Sequence, residues 1–163
     1  VDRFVSYCRR IFKNKEKLIT LKNEMKNTEE YLKIMQFCYG IDFDVYQSLD
    51  ENAAAALVPA NVLQPIAENA FIHGINIMPD DARGKIVLGG YRDGDYTVIS
   101  VKDNAGQLDI NNIPKIGDGN HAMDILKKQI DLYYDCDPGC TIEMNMTDGF
   151  TEVTVRVKYR SEK

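Results

Sequence analysis

The stretch Leu63-Gln64-Pro65-Ile66-Ala67-Glu68-Asn69-Ala70-Phe71-Ile72-His73-Gly74 sets three polar side chains, Glu68, Asn69 and His73, in a helix otherwise built for burial. Leu63, Ile66, Ala67, Ala70 and Phe71 recur at steps of three and four and make one apolar face. Asn69 and His73 stand one turn apart at the border of that face, a position that suits a ligand. A core helix with a satisfied amide and a histidine that caps or packs accounts for the same residues. The rest of the chain has to separate these two readings.

At 163 residues and 44% hydrophobic content, the chain is long enough for one domain with a real core and a helical appendage, and too short for two full domains. Its 25 acidic residues against 20 basic ones give a net charge of -5, and no basic stripe gathers on one face, which argues against nucleic acid as a partner. No apolar run approaches the roughly 18 to 20 residues of a membrane-spanning helix, and Val1-Asp2-Arg3-Phe4 does not read as a signal peptide. The piece is expected to be soluble. It opens in helical pattern without an initiator Met, so it is expected to be excised from something longer. Of Cys8, Cys38, Cys136 and Cys140, the last two bracket the turn Asp137-Pro138-Gly139. Free thiols are the expectation, with a short Cys136 to Cys140 disulfide as the alternative. His73 and His121 are not spaced with the cysteines as zinc ligands would be.

The first forty residues are helical in pattern, with Leu18, Leu21, Met25, Leu32 and Met35 on one seam, Thr28 interrupting it and Gly40 ending it. Ahead of them Phe4, Tyr7, Cys8 and Ile11 form a shorter stripe. From Asp42 the period becomes two, and Phe43, Val45, Gln47 and Leu49 share the face of a strand. Pro59 introduces a helix over Asn61 to Ile75. Strands over Lys85 to Tyr91 and Tyr96 to Asp103 flank Arg92-Asp93-Gly94-Asp95, a hairpin signal. Residues 104 to 120, rich in Asn, Gly, Asp and Pro, read as an irregular loop long enough to be a lid. A helix follows from His121 to Tyr134, burying Met123, Leu126, Ile130 and Tyr133 or Tyr134. Thr141 to Met146 and Phe150 to Tyr159 close the chain as a hairpin through Thr147-Asp148-Gly149, with Val153, Val155, Val157 and Tyr159 inward. This order predicts an α+β, two-layer sandwich: a mixed, mostly antiparallel sheet with helices on one face.

In the strand ending at Asp103, Thr97, Ile99, Val101 and Asp103 lie on one face, so a carboxylate closes a row that points into the interior. Such a carboxylate would accept a hydrogen bond from an exocyclic amine, and Gly106 would let a ligand approach the backbone. A plain turn after a strand uses the same residue types.

The Ala67-Glu68-Asn69-Ala70 helix, then a hairpin ending in Val101-Lys102-Asp103-Asn104-Ala105-Gly106, then a glycine-bearing loop and a further helix, resembles the ATP-binding domain shared by gyrase, heat-shock chaperones and sensor histidine kinases. Within that superfamily Leu18 to Gly40, Pro59 to Gly74 and Ile125 to Tyr133 are similar to the cytoplasmic end of the LytS/YesM-type sensor histidine kinases, whose pattern reads L-Q-P-L-V-E-N-A-I-K-H-G. The resemblance covers nearly the whole chain. It implies that residues 1–40 are the C-terminal part of a dimerisation and phosphoacceptor region and that residues 41–163 are the ATP-binding catalytic domain. It implies ATP and Mg²⁺ as cofactors: Asn69 on the Mg²⁺ that bridges the phosphates, Asp103 on the adenine amine, His73 near the phosphates, and Gly106 and Gly119 in the nucleotide-binding loops. A neutral amide oxygen is a hard ligand that suits Mg²⁺. The family also associates Glu68 with catalysis, although the ATPases of the superfamily carry their general base one turn before the asparagine, where this chain has Pro65.

By the same resemblance the intact protein is a homodimer that passes phosphate to a response regulator, and this chain is the cytoplasmic portion of a bacterial inner-membrane sensor anchored by segments upstream. The phosphoacceptor histidine of such kinases lies before the segment matching Val1 to Lys13; His73 and His121 stand in another context, so this fragment is not expected to autophosphorylate. Three positions depart from the pattern. The D-x-G-x-G motif reads Asp103-Asn104-Ala105-Gly106-Gln107, the second glycine motif aligns with Gly119-Asn120-His121-Ala122 or with Gly117-x-Gly119, and Ile72 replaces a lysine. These departures motivate a second reading, a degenerate pseudokinase that serves as a signalling scaffold. A third, a stand-alone ATPase or serine kinase of the anti-sigma type, has no need of the helical lead-in Phe4 to Gly40.

Overall fold

The computed structural model describes residues 18–106 and 121–162, apart from the side chains of His121 and Ala122. The stripe Phe4, Tyr7, Cys8 and Ile11, and the loop with Gln107, Gly117 and Gly119, lie outside the described residues. Thr20 decides where the first helix begins. It is extended, and its Oγ1 accepts the Asn23 N–H at 3.3 Å, so α1 runs over Leu21–Tyr39 and stops at Gly40, which is left-handed at φ 64°. Leu18, expected on the helical seam, instead belongs to a short strand β1 (Leu18–Thr20), because a cap at Thr20 excludes it from the helix. Thr28 does not interrupt the seam: it is buried, and its hydroxyl donates to the Glu24 carbonyl at 2.8 Å.

Next come β2 (Phe43–Leu49), a single turn α2 (Glu51–Ala54) and β3 (Leu57–Pro59), which pairs antiparallel with β1. Pro59 is therefore a strand residue. The expected helix from Asn61 is shorter: α3 spans Gln64–His73, because Asn61 adopts a left-handed φ of 63° that no helix accommodates, and Pro65 stands in its first turn. A 3₁₀ turn, Ile75–Ile77, follows. Strands β4 (Gly84–Asp93) and β5 (Tyr96–Asp103), helix α4 (His121–Tyr133), and strands β6 (Thr141–Thr147) and β7 (Phe150–Lys158) complete the chain.

The main sheet has the order β2-β4-β5-β7-β6. Every neighbouring pair is antiparallel except β2 with β4, whose register runs Phe43↔Gly84 to Leu49↔Gly90. A parallel pair needs a crossover, and the chain between them supplies it with α2, β3 and α3. As an edge strand β2 is covered less than alternation implies: Phe43 is buried, Val45 and Leu49 are half-buried, and Gln47 is exposed. Inside the sandwich Ile86, Leu88, Ile99, Val101, Val153, Val155 and Val157 join one buried cluster with residues of α1, α3 and α4. Tyr134, not Tyr133, is the buried aromatic at the end of α4. Tyr159 lies just past β7, where Arg92 stacks 3.9 Å from its ring centre. Leu21, Met25, Tyr31, Leu32 and Met35 of α1 belong to this same cluster, so the core crosses residue 40 without a break. Gly90 permits that approach: a Cβ there would lie 2.8 Å from Leu21 and 2.9 Å from Met25. Cys136 and Cys140 are free thiols.

A charged group sits in this core. Glu24 of α1 is 1% exposed, with Oε2 accepting the Asn61 N–H and Oε1 the Leu63 N–H, each at 3.0 Å. Burial outweighs these bonds and pushes its carboxyl up to about 6 from 4.5. The folded chain therefore binds this proton more tightly than the unfolded one. The associated stability is fully present below about pH 4.5 and is lost as pH rises through about 6, a change of about 2 kcal/mol. Urea unfolding from pH 4.5 to 7.5 should show this fall in the wild type relative to Glu24→Gln; parallel pH profiles for the two chains would rule it out.

Candidate functional site

Two elements meet at the site. Helix α3 buries Ile66, Ala67, Ala70 and Phe71 against the sheet, which turns Asn69 and His73 to one side of its contact face. Strand β5 alternates as expected, with Thr97, Ile99, Val101 and Asp103 all inward and buried. Opposite them on β7 stand Val157, Val155, Val153 and Thr151, so the apolar row ends in a cross-strand polar pair, Asp103 and Thr151. Asp103 is 4% exposed, and Thr151 is buried beside it.

These residues come together. A narrow cleft is lined by Asn69, His73 and Gly74 from the α3 end, and by Asp103, Ala105 and Thr151 from the strands. Its interior holds about 20 Å³, room for about one water. A larger hollow of about 410 Å³ lies elsewhere, over Gly40–Asp42 and Ile75–Gly84, but Arg83 there is already paired with Asp42 at 2.9 Å and Asp44 at 2.7 Å. The narrow cleft is the one that gathers the polar groups read from the sequence.

Burial pushes the Asp103 carboxyl up to about 6, against one compensating hydrogen bond from the Ala105 N–H to Oδ1 at 3.0 Å. Among the described residues no cation contributes to holding it ionised. The strand end is locked by the next residue: Asn104 Oδ1 accepts the Lys85 N–H at 2.6 Å, and its Nδ2 donates to the Arg83 carbonyl at 3.0 Å. The site is thus a buried, nearly bare carboxylate on a rigid strand, facing an amide and an imidazole on a helix. It can accept hydrogen bonds at its floor and offer an amide oxygen at its rim.

The other expected residues fall differently. Glu68 is half-buried and is not in the cleft lining. Gly106 is left-handed at φ 59°, and a Cβ there would lie 2.7 Å from the Gly149 carbonyl oxygen, so the hairpin turn of the protein itself requires a glycine. Ile72, where the pattern has lysine, packs against the core. Gly119 lies outside the described residues. Sequence reasoning missed Thr151; pairing the hairpin strands in register would have found it, because it is the residue opposite Asp103. It also passed over Gly74 as a structural residue. A Cβ there would meet the Ala70 carbonyl oxygen and would lie 2.8 Å from Asp103 Oδ1.

No protein-family model matches the chain. Along 162 residues, 99% of its length, the chain is 25% identical to the sensor histidine kinase BtsS of Escherichia coli K12. In an alignment 156 positions long that takes in 89% of this chain, it is 26% identical to the sensor protein LytS of Staphylococcus epidermidis RP62A. The catalytic domain of the histidine kinase ThkA superposes with a TM-score of 0.63 at 13% identity, covering 89% of this chain and 97% of that one. A histidine kinase domain from Erythrobacter litoralis EL346 gives 0.60 at 15% identity, covering 96% and 70%. The chain is thus similar in sequence to sensor histidine kinases of the BtsS and LytS kind. It spans 28% of BtsS and 25% of LytS, about a quarter of those proteins.

The sandwich is the fold of these histidine kinase catalytic domains, and the cleft sits between α3 and the ends of β5 and β7. Its wall tolerates no side chain at residue 74. Gly74→Ala should lower stability by about 1–3 kcal/mol through overpacking and displace Asp103, checked by urea unfolding together with the Ala105 amide resonance, which reports the bond to Oδ1. A variant as stable as the wild type, with that resonance unmoved, would refute the contact.

Proposed function

We propose that this chain is the ATP-binding catalytic domain of a two-component sensor histidine kinase, serving transfer of the γ-phosphoryl group of ATP to a histidine on the dimerisation helices. The observation that carries this reading is the buried Asp103 carboxylate, without an offsetting cation among the described residues, opening into the same cleft as Asn69. The donor set fits the group. At neutral pH Asp103 is mostly ionised and accepts from an exocyclic amine; Thr151 offers a second polar group beside it; Asn69 offers a hard amide oxygen for Mg²⁺. Bound Mg²⁺ would neutralise phosphate charge, which phosphoryl transfer needs more than covalent help from the protein. His73 is exposed at the rim, one turn beyond Asn69, where an imidazole can donate to phosphate oxygens. Gly106 and Gly119 belong to the segments proposed to border the nucleotide, and Glu68 is assigned to catalysis by family likeness alone.

The division of the chain into residues 1–40, the C-terminal part of the dimerisation and phosphoacceptor region, and residues 41–163, the catalytic domain, is part of the same proposal, with α1 packed on the core of the second part. The homodimer, the response regulator and a place at the cytoplasmic face of a membrane-bound sensor are proposals of the same kind. Among the described residues no helix is long and apolar enough to cross a membrane.

The test is titration with ATP and MgCl₂, followed by a method sensitive to millimolar affinities. Asn69→Ala and Asp103→Asn should each weaken binding tenfold or more while leaving the fold intact by circular dichroism. No wild-type binding at millimolar ATP would sink the nucleotide reading. A pH series adds a second check. Protonation converts Asp103 from acceptor to donor, so adenosine affinity should fall as pH drops through about 6, and Asp103→Asn should abolish that dependence. One specific observation favours the pseudokinase reading: Ile72 packs against the core at the position where the family pattern has a lysine. That scaffold predicts signalling by the full-length protein unchanged in Asn69→Ala and Asp103→Ala.

A further inference from the structure

Helix α3 has no side-chain cap of its own. Leu63 occupies the cap position with an apolar side chain, and Pro65 in the first turn has no N–H. The chain enters the helix through Asn61 at φ 63°, a conformation uncommon for any residue but glycine, and through Val62 and Leu63, which are fully buried. Something outside the segment has to hold this entry. Glu24 does so from 37 and 39 residues away, one carboxylate oxygen on the Asn61 N–H and the other on the Leu63 N–H.

We propose that Glu24 is a positioning residue for the nucleotide site: its carboxylate clamps residues 61–63, fixes the start and direction of α3, and so sets where Asn69 stands opposite Asp103. The inference rests on the nucleotide reading above for its functional meaning, and on the two hydrogen bonds for its geometry. A carboxylate at a helix N-terminus is favoured by the helix dipole, and here it comes from another helix. Its anchor is firm, because Leu21, Met25 and Leu32 on the same helix are fully buried. Leverage makes the clamp matter. Asn69 lies about 9 Å along the axis from Leu63, so a tilt of about 10° at the entry moves it about 1.5 Å. Metal–ligand distances tolerate only about 0.2 Å. Cleft and clamp are thus tied: Glu24 acts on Mg²⁺ and phosphate through Asn69, while Asp103 is held by its own strand and by Asn104.

The experiment compares the whole chain with Glu24→Gln, titrated with ATP once with MgCl₂ and once with EDTA, alongside the Asn69 side-chain amide resonances. Glu24→Gln should reduce the Mg²⁺-dependent gain in ATP affinity at least fivefold, change affinity in EDTA less than twofold, and shift the Asn69 resonances. Thr28→Val, which removes a different buried hydrogen bond from α1, should lower stability without changing that gain. Should Glu24→Gln fail to fold, Glu24→Asp keeps the charge but reaches only one of the two N–H groups, and an intermediate loss of the gain is expected. Equal loss in MgCl₂ and EDTA, or unmoved Asn69 resonances, would overturn the clamp. Absence of wild-type binding in both media, with Asn69 resonances that still move in Glu24→Gln, would overturn the nucleotide reading and support the clamp.

Discussion

The parallel pairing of β2 with β4 is the constraint on which the rest of the molecule depends. Two strands that run the same way cannot be joined by a tight turn, so the chain between Leu49 and Gly84 has to cross the sheet. That crossing carries α3 onto the face where the apolar rows of β5 and β7 point. Once α3 lies there, its own periodicity buries Phe71 and Ala70 and leaves Asn69 and His73 at the edge. The remaining antiparallel pairs set the other wall, since the register of β5 with β7 brings Thr151 opposite Asp103. The cleft is where the crossover meets the hairpin ends.

Among the described residues two carboxylates are buried, and both are pushed up to about 6 by desolvation. Their settings differ. Glu24 has backbone N–H groups on both oxygens and lies deep between α1 and the entry to α3, the arrangement of a structural group whose hydrogen bonds are satisfied. Asp103 has one such bond and opens to a cleft. A buried charge with few partners on a rigid strand is costly to keep unless something else completes it, and that imbalance sets the candidate binding group apart from the structural one.

Much of this was legible in the chain itself. Hairpins announced by Asp-Gly pairs formed where their strands alternate, and Met123, Leu126 and Ile130 lie inward because a helix with that spacing has only one apolar face. Asp103 could be placed at the edge of the core because strand alternation is a local property. Other features were not legible. The Thr20 cap and the short β1–β3 pair depend on a partner strand 39 residues away, which no local period encodes. Gly106 invites a ligand reading in sequence, whereas in space it makes room for the Gly149 carbonyl. No local pattern singles out Glu24, and only the chain folded back onto it shows the two amides that it holds.

The sequence by itself determined the elements, the face each one buries, and the identity of the polar residues left at those faces, because side-chain direction follows from backbone period alone. It also carried the likeness to sensor histidine kinases. Tertiary structure alone decided which polar residues share a cleft. Asn69, His73, Asp103 and Thr151 meet because a parallel crossover and an antiparallel register put three separate segments side by side. Glu68, in the same sequence motif, stays outside the cleft lining, because one step along a helix turns a side chain by about 100°. Distance along the chain does not predict distance in space, and the chemistry of the site depends on the second.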